Sequence, residues 1–218
     1  MKKLVLAFME IKLEQGFLFP QQYWLAEFCE NLEDLQKECY LIRKNDKGGI
    51  TRTNTGDLGY HSTNITDLDN LPNIKKLMDK ISKCVNFIHK TSREGDLSLA
   101  NFWVNISGKG SSNTVHTHAG ITYSGVFYIR VPEGMKGGNF RFYRNFSDDC
   151  LNSEENMGYF KKDYKRQLHD YSVITLPPKE NLLIVFPGWA PHAVEIISSD
   201  GERIGISFNF MLNKSFSK

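Results

Sequence analysis

The chain has 218 residues, a formal net charge of +2, 40% hydrophobic residues and 12% aromatic residues. This length and apolar content suit one large globular domain with a sizeable core, and they argue against disorder. The balanced charge, with lysines spread along the chain, argues against a nucleic-acid partner.

The N-terminal apolar run is interrupted by Glu10 before it reaches the length of a signal peptide, and no later run approaches a membrane span. The four cysteines, Cys29, Cys39, Cys84 and Cys150, show no CxxC spacing and predict free thiols in a reducing compartment. We therefore expect a cytoplasmic protein without a membrane partner.

The first part of the chain predicts a strand, a helix and a loop. Residues 4–13 predict a short strand, and Pro20 suits the first turn of a helix over about residues 20–37. Residues 43–70 are rich in Gly, Asn, Thr and Asp, which favour turns. A long ordered loop of this kind is often functional.

A second helix is predicted over residues 72–90, because its apolar side chains form one continuous stripe at helical spacing. Asp69 or Asn70 is the expected N-cap. Such a stripe is typical of a helix that packs on a core.

After Gly95 the apolar period changes from about 3.6 to two, which predicts a mainly β second half. The expected strands cover residues 98–106, 121–131, 138–144, 172–177, 181–186, 192–197 and 203–211. The last strand alternates most clearly, with polar residues or glycine on one face at Arg203, Gly205, Ser207 and Asn209. That face is a candidate lining for a polar cavity.

Helices followed by about seven short strands predict a mainly β fold with α: a cupin-like jelly roll with an N-terminal helical layer packed on one sheet. Residues 1–218 would form a single domain, with the helical part and long loop in residues 1–95 and the β core in residues 96–212. The charged segment 145–171 predicts an insertion over the mouth of the β core.

Two histidines, His116 and His118, lie two residues apart at the start of a predicted strand and would share one face of it. About seventy residues later, His192 and Arg203 each open a strand. A close pair of histidines, a distant third and a basic residue beyond it indicate a mononuclear metal site beside an anion-binding side chain.

Three runs of sequence together resemble the 2-oxoglutarate/Fe(II)-dependent oxygenases of the double-stranded β-helix superfamily: NFWVNISGKGSSNTVHTHAGITYSGVFYIRVPEG, GGNFRFY and LLIVFPGWAPHAVEIISSDGERIGISFNF. The upstream TNTGDLGYHS is similar to a turn in the same family, so the resemblance covers roughly residues 50–210. It implies a jelly-roll core, with Fe(II) held by His116, His118 and His192. It also implies that Arg203 anchors the distal carboxylate of 2-oxoglutarate, and that O₂ is the other co-substrate.

The second ligand position departs from the wider superfamily, which has Asp or Glu where this chain has His118. Imidazole suits Fe(II), so His118 is a candidate ligand. Alternatively His118 orients a ligand, and the third ligand comes from elsewhere, such as Glu195 or an exogenous anion.

Several polar residues are candidates for completing the co-substrate pocket, and the sequence does not choose among them: Asn105, Asn113, Tyr123, Tyr128, Ser207 and Asn209. Trp189 is a candidate wall against water. The other histidines, His61, His89 and His169, are expected at the surface or in the core.

The predicted activity is Fe(II)- and 2-oxoglutarate-dependent hydroxylation of an amino-acid side chain or a small metabolite, with a small molecule or a peptide as substrate. One alternative is a three-histidine cupin-type dioxygenase that uses no 2-oxoglutarate. Another is a non-catalytic jelly roll that binds a ligand or serves assembly, since a fold does not dictate chemistry. Arg203 and the polar face beside it favour the first hypothesis. The oligomeric state is open, and a homodimer is compatible with the sequence.

Overall fold

The computed structural model describes residues 3–5, 12–14, 22–49, 59–144, 165 and 173–213. The N-terminal elements are β1 (Lys3–Val5), β2 (Lys12–Glu14), β3 (Trp24–Glu27), α1 (Leu32–Asn45), β4 (Gly59–His61) and α2 (Pro72–Lys90). The remaining strands are β5 (Leu97–Ser107), β6 (Asn113–His116), β7 (Tyr123–Arg130), β8 (Phe140–Tyr143), β9 (Val173–Leu176), β10 (Leu182–Pro187), β11 (His192–Val194) and β12 (Arg203–Leu212).

Two antiparallel sheets form the β core. The larger sheet has the order β3-β10-β7-β12-β5-β4, and the smaller has the order β6-β11-β8-β9, while β1 pairs with β2 apart from both. This is the predicted double-stranded β-helix, or jelly roll. No helix in the described parts of the chain is long and apolar enough to cross a membrane.

The larger sheet separates two apolar cores. Its outer face packs against α1 and α2, which confirms the predicted helical layer, and Phe127 and Phe208 lie there fully buried. Its inner face packs against the smaller sheet around Val126 and Phe140. Because successive side chains on a strand point to opposite faces, neighbouring residues of β7 and β10 enter different cores.

The helix predicted over residues 20–37 is wrong at its start. Residues Trp24–Glu27 form the edge strand β3, which pairs with β10, and Leu25 is 50% exposed. The helix α1 begins only after Asn31, whose side chain accepts a hydrogen bond from the Asp34 N–H. The free edge of β10 therefore decides the conformation of residues 24–27, a long-range effect that helical spacing does not show.

The second helix is confirmed, but its N-terminal cap is not the predicted one. Leu71 is the N-cap residue and makes no side-chain cap. Instead, the carboxylate of Glu38 in α1 accepts hydrogen bonds from the backbone N–H groups of Asn73 and Ile74 at 3.0 and 2.8 Å. A residue from a neighbouring helix thus satisfies the free N–H groups at the start of α2.

The remaining differences concern short elements. The expected strand 4–13 is replaced by β1 and β2, with residues 6–11 outside the described part of the chain. The expected loop 43–70 includes the end of α1 and the edge strand β4, which pairs with β5. The predicted insertion 145–171 lies outside the described residues apart from Lys165.

Candidate active site

Three histidines come together between the two sheets. His116 ends β6, His118 lies in the following loop, and His192 opens β11 directly opposite His116. One ring nitrogen from each lies within 4.8 Å of the other two. Separations of this size suit three ligands of one small ion.

The Nδ1 atoms of two of these rings contact backbone carbonyl groups. His116 Nδ1 lies 2.7 Å from the Thr114 oxygen, and His192 Nδ1 lies 2.9 Å from the Ala190 oxygen. A carbonyl oxygen only accepts hydrogen bonds, so each Nδ1 carries the proton and each Nε2 keeps its lone pair. This tautomer presents Nε2 as a metal ligand.

His118 is held by side chains instead of backbone. Its Nδ1 lies 2.6 Å from Asn209 Oδ1, which also accepts a hydrogen bond from the Ser124 hydroxyl at 2.7 Å. The amide nitrogen of Asn209 then donates to Asn101 Oδ1 at 2.8 Å. The ring of His118 is therefore fixed by a hydrogen-bonded relay across the inner face of the larger sheet.

Burial keeps two of the rings neutral. Removal from water lowers the pKa of His192 to about 3, and the nearby ring of His116 acts in the same direction. Burial also lowers the pKa of His118. Neutral imidazole is the form that binds a metal ion, so these two rings are ready for one at neutral pH.

Arg203 lies in the same cavity and is buried, with a relative exposure of only 7%. Its Nη1 donates to the Gly138 carbonyl at 2.5 Å, and its guanidinium carbon lies 5.6 Å from the centre of the Tyr128 ring. Burial lowers the pKa of the guanidinium, which nevertheless stays charged because arginine starts far above neutral pH. No carboxylate of the described residues forms an ion pair with it.

A buried cation without a counter-ion is costly unless an anion joins it. The planar fork of arginine suits a carboxylate, which it binds through two parallel hydrogen bonds. The position of Arg203 therefore indicates an anion-binding site beside the histidines.

One cavity of about 650 Å³ joins the histidine cluster to Arg203. Five of the six candidate pocket residues line it, and they are Asn105, Asn113, Tyr128, Ser207 and Asn209. Ser207 and Asn209 share this face of β12, as its alternation predicts. Asn105 donates a hydrogen bond to Ser207 at 2.9 Å.

Tyr123 does not lie in this cavity, although it was a candidate. Its ring is buried on the helix-facing side of the larger sheet, and its hydroxyl accepts a hydrogen bond from Arg93 at 2.7 Å. Tyr123 and Tyr128 are five residues apart on one strand, and an odd separation puts them on opposite faces.

Two further candidates also lie away from the histidines. Glu195, considered as a third ligand, forms an ion pair with Arg141 and accepts a hydrogen bond from Asn139, and it lines a separate surface depression. Trp189 is 54% exposed and does not line the cavity.

The sequence analysis did not assign several residues that also line the cavity, among them His61, Asn64, Asn101 and Trp103. Asn101 and Trp103 share a face of β5 with Asn105, so strand alternation was a usable signal for both. His61 reaches the cavity only because the three-residue strand β4 pairs with β5. No local pattern reveals that pairing.

Residues 101–209 match the family model described as "Putative 2OG-Fe(II) oxygenase", which extends over half of the chain. The match begins in β5 and ends in β12, so it includes the three histidines and Arg203. No curated protein sequence matches the chain.

Solved structures share the fold at low sequence identity. A prolyl-4-hydroxylase from Pseudomonas putida is 16% identical with a TM-score of 0.57, and the match covers 88% of this chain and 94% of that one. A Trichoplax adhaerens prolyl hydroxylase, in complex with a peptide of hypoxia inducible factor, is 15% identical with a TM-score of 0.59, covering 90% and 87%. HygX from Streptomyces hygroscopicus, with nickel, 2-oxoglutarate and hygromycin B bound, is 11% identical with a TM-score of 0.58, covering 89% and 84%.

These identities establish the fold, and the family model establishes the relationship. The chain belongs to the 2OG-Fe(II) oxygenases, enzymes that use Fe(II), 2-oxoglutarate and O₂.

Proposed function

We propose that His116, His118 and His192 hold Fe(II) through their Nε2 atoms and that Arg203 binds the distal carboxylate of 2-oxoglutarate. The observation that carries this proposal is the buried guanidinium of Arg203, which shares one cavity with three converging imidazoles and has no carboxylate partner among the described residues. A jelly roll that serves only for assembly has no use for such a cation, and Arg203 favours the 2-oxoglutarate-dependent enzyme over the three-histidine dioxygenase.

The donor set fits iron. Imidazole nitrogen is a good ligand for Fe(II), and three protein ligands on one side leave positions for co-substrates on the other. Three neutral ligands also leave the double positive charge of the ion uncompensated, which favours anionic co-substrates. Iron, when bound, supplies the redox chemistry that links O₂ and 2-oxoglutarate to oxidation of a substrate C–H bond.

The residues of the chain position and enclose these groups. Asn209 and Ser124 fix the ring of His118, while the Ala190 carbonyl fixes His192. The rings of Phe140 and Phe186 lie against His192, with centroids 5.4 and 4.6 Å from its own. These aromatic rings exclude water from one side of the cluster, which strengthens electrostatic interactions within it.

The remaining pocket residues are assigned by position. We assign Tyr128, Asn105 and Ser207 to the 2-oxoglutarate pocket, because they lie in the cavity around Arg203. Asn113 lies at the exposed rim, where it is a candidate for contact with either co-substrate or substrate.

The primary substrate is proposed to be an amino-acid side chain or a small metabolite that is hydroxylated. Similar solved structures support both options, since two are named as prolyl hydroxylases and a third contains hygromycin B.

We also propose a cytoplasmic location, supported by Cys29, Cys39 and Cys84, which are free thiols.

The test combines metal analysis with co-substrate binding. Protein purified without chelator should contain iron, and adding Fe(II), ascorbate and 2-oxoglutarate should release succinate. Arg203→Met should keep the metal but weaken 2-oxoglutarate binding by about 2–5 kcal/mol, the range for breaking a buried charged pair. Arg203→Lys should restore part of the affinity, since lysine supplies a point charge without the fork.

Arg93→Met is the matched control, because Arg93 bonds Tyr123 on the opposite face of the sheet. It should leave 2-oxoglutarate affinity as in the parent. Equal 2-oxoglutarate affinity in Arg203→Met and Arg93→Met would refute the anchor, and iron binding with turnover that does not need 2-oxoglutarate would favour the cupin-type alternative.

A further inference from the structure

The inner face of β12 divides the floor of the cavity into two unlike sides. On the β7 side, Val126 lies opposite Ser207 and Tyr128 lies opposite Gly205. On the β5 side, Trp103 lies opposite Ser207. The β7 side is apolar and closed by aromatic rings, whereas the β5 side is polar and continues to the edge strand β4. Asn105 of this side is already assigned to the 2-oxoglutarate pocket. We call four other cavity residues, from β5, β4 and the segment after β4, the polar strip: His61, Asn64, Asn101 and Trp103.

Two rings of the polar strip are stacked and held in place. His61 and Trp103 are nearly parallel, with an interplanar angle of 16° and centroids 5.3 Å apart. Trp103 also lies beside the ring of His118, at 6.3 Å between centroids. The strip therefore offers flat ring surfaces next to the histidine cluster.

The segment that carries His61 is tied down on both sides of it. The Tyr60 hydroxyl donates to Asp46 at 2.7 Å, and the Thr63 N–H donates to the same carboxylate at 2.8 Å. Ser62 exchanges hydrogen bonds with Val104 of β5 through its backbone and its hydroxyl. His61 is thus positioned in advance, as recognition surfaces usually are.

Asn101 presents a hydrogen-bond donor whose direction is set by the relay from His118. The Asn209 oxygen accepts from both His118 and Ser124, so the Asn209 amide nitrogen must donate to Asn101 Oδ1. The Asn101 NH₂ group is left without a partner among the described residues, in the wall of the cavity. This unpaired N–H donor in the cavity wall favours a ligand that carries an oxygen acceptor.

The charges of the residues that line the cavity limit further which ligands can bind there. Its described lining contains no Asp, Glu or Lys, and Arg203 is its one arginine. A cationic ligand would therefore find no counter-charge among these residues. An anionic ligand would be drawn to Arg203, where it would compete with 2-oxoglutarate.

We propose that the primary substrate binds on the polar strip as an uncharged group that lies against the His61–Trp103 rings and accepts a hydrogen bond from the Asn101 NH₂ group. The inference rests on the proposed function, since it assumes that Arg203 is taken by 2-oxoglutarate. A peptide carbonyl and a sugar hydroxyl both offer such an acceptor.

The experiment uses probes that differ in charge. Protein loaded with Mn(II) and 2-oxoglutarate is titrated calorimetrically with blocked amino acids (N-acetyl, N-methylamide), with the anionic N-acetyl amino acids and with the cationic amino-acid amides of the same side chains. Methyl glycosides form a second neutral series that separates a sugar source from a peptide source. One neutral series should bind at least about tenfold more tightly than any charged probe, the order expected when a buried charge is left unpaired.

Asn101→Asp tests the donor. The carboxylate still accepts from Asn209, so the relay to His118 is kept, but the NH₂ donor becomes an oxygen. The affinity for the best neutral probe should fall by at least about tenfold, and by more than the affinity for 2-oxoglutarate. The affinity for cationic probes should rise. Asn70→Asp makes the same charge change at an exposed position outside the cavity and should leave the preference for neutral probes intact. Should Asn101→Asp fail to fold, His61→Ala removes the ring stack, leaves the relay in place and should also weaken the neutral probe selectively.

Several results would overturn the proposal. These are tighter binding of a charged series, no neutral binding at the highest soluble concentrations, or equal probe preference in Asn101→Asp and Asn70→Asp. If Mn(II) and 2-oxoglutarate themselves fail to bind, the proposed function is refuted, and the substrate assignment falls with it.

Discussion

The two faces of the larger sheet are built from the same strands, but one face is part of the apolar core and the other lines the cavity. On the helix-facing side, Phe127, Phe208 and Phe210 are almost completely buried in an apolar core. On the inner side, Arg203 and Asn209 line a cavity. The period of two along each strand separates the residues that stabilise the fold from those that carry its chemistry. Residues that are neighbours in sequence therefore contribute to different properties, one to stability and the next to the cavity. Pairs of substitutions one residue apart can test this.

The largest effect on the fold should come from Phe208→Ala compared with Ser207→Ala. Phe208 is fully buried, so its truncation should lower the free energy of unfolding by about 3–5 kcal/mol. Ser207 makes a side-chain hydrogen bond with Asn105 inside the cavity, and its loss should cost about 1 kcal/mol. Urea unfolding of both variants measures the difference, and similar losses would show that the two faces contribute equally to stability.

The next effect concerns His118 and metal affinity. His118→Ala removes an imidazole from a three-member cluster, so iron affinity should fall by more than the roughly 10–100-fold that follows loss of an outer hydrogen-bond partner. His118→Asp should bind Fe(II) at least as well as the parent and keep some 2-oxoglutarate turnover, because Asp supplies the ligand of the two-histidine, one-carboxylate set.

Iron affinity and succinate release are measured for both His118 variants beside the parent. If His118→Ala keeps the metal and uncoupled turnover near the parent level, then His118 orients a ligand instead of binding the metal. An exogenous anion would then be the better candidate for the third ligand, since Glu195 is paired with Arg141 away from the cluster.

How much of this arrangement the sequence predicts depends on the distance over which each signal acts. The alternation in β12 and the spacing of His116 and His118 are local, so the polar face and the histidine pair were visible in the sequence. The strands β3 and β4 are three or four residues long and exist because they pair with β10 and β5, which are remote in sequence. His61 was missed and the start of α1 was misplaced for that single reason.

A third effect concerns pH and His192, which enters the cavity from the smaller sheet. The pKa of His192 is about 3 in the folded protein, well below its ordinary value of about 6.5, because the ring is buried. The unfolded chain therefore binds a proton that the folded chain rejects. Stability of the metal-free protein should fall as the pH drops from about 6.5 towards 3, by up to about 1.4 kcal/mol per pH unit from this group.

His192→Asn removes the titrating ring, and its stability should depend less on pH between 7 and 5 than that of the parent. Chemical unfolding at both pH values in the presence of chelator measures this. Parallel pH dependence in the two proteins would show that His192 titrates normally in the folded state.

The smallest effect comes from two tyrosines of β7 that differ only in the face they occupy. Tyr123→Phe removes a hydroxyl that accepts a hydrogen bond from Arg93 in the helix-facing core, so the free energy of unfolding should fall by about 1 kcal/mol. Its 2-oxoglutarate affinity should equal that of the parent, because the ring lies outside the cavity. Tyr128→Phe should show the reverse, with weaker 2-oxoglutarate binding and a smaller loss of stability. It keeps the ring beside the guanidinium of Arg203 but removes a hydroxyl from the cavity lining, where that hydroxyl is a candidate donor to a bound carboxylate. If both variants lose stability and keep 2-oxoglutarate affinity, then Tyr128 only packs under Arg203, and the co-substrate pocket does not extend to β7.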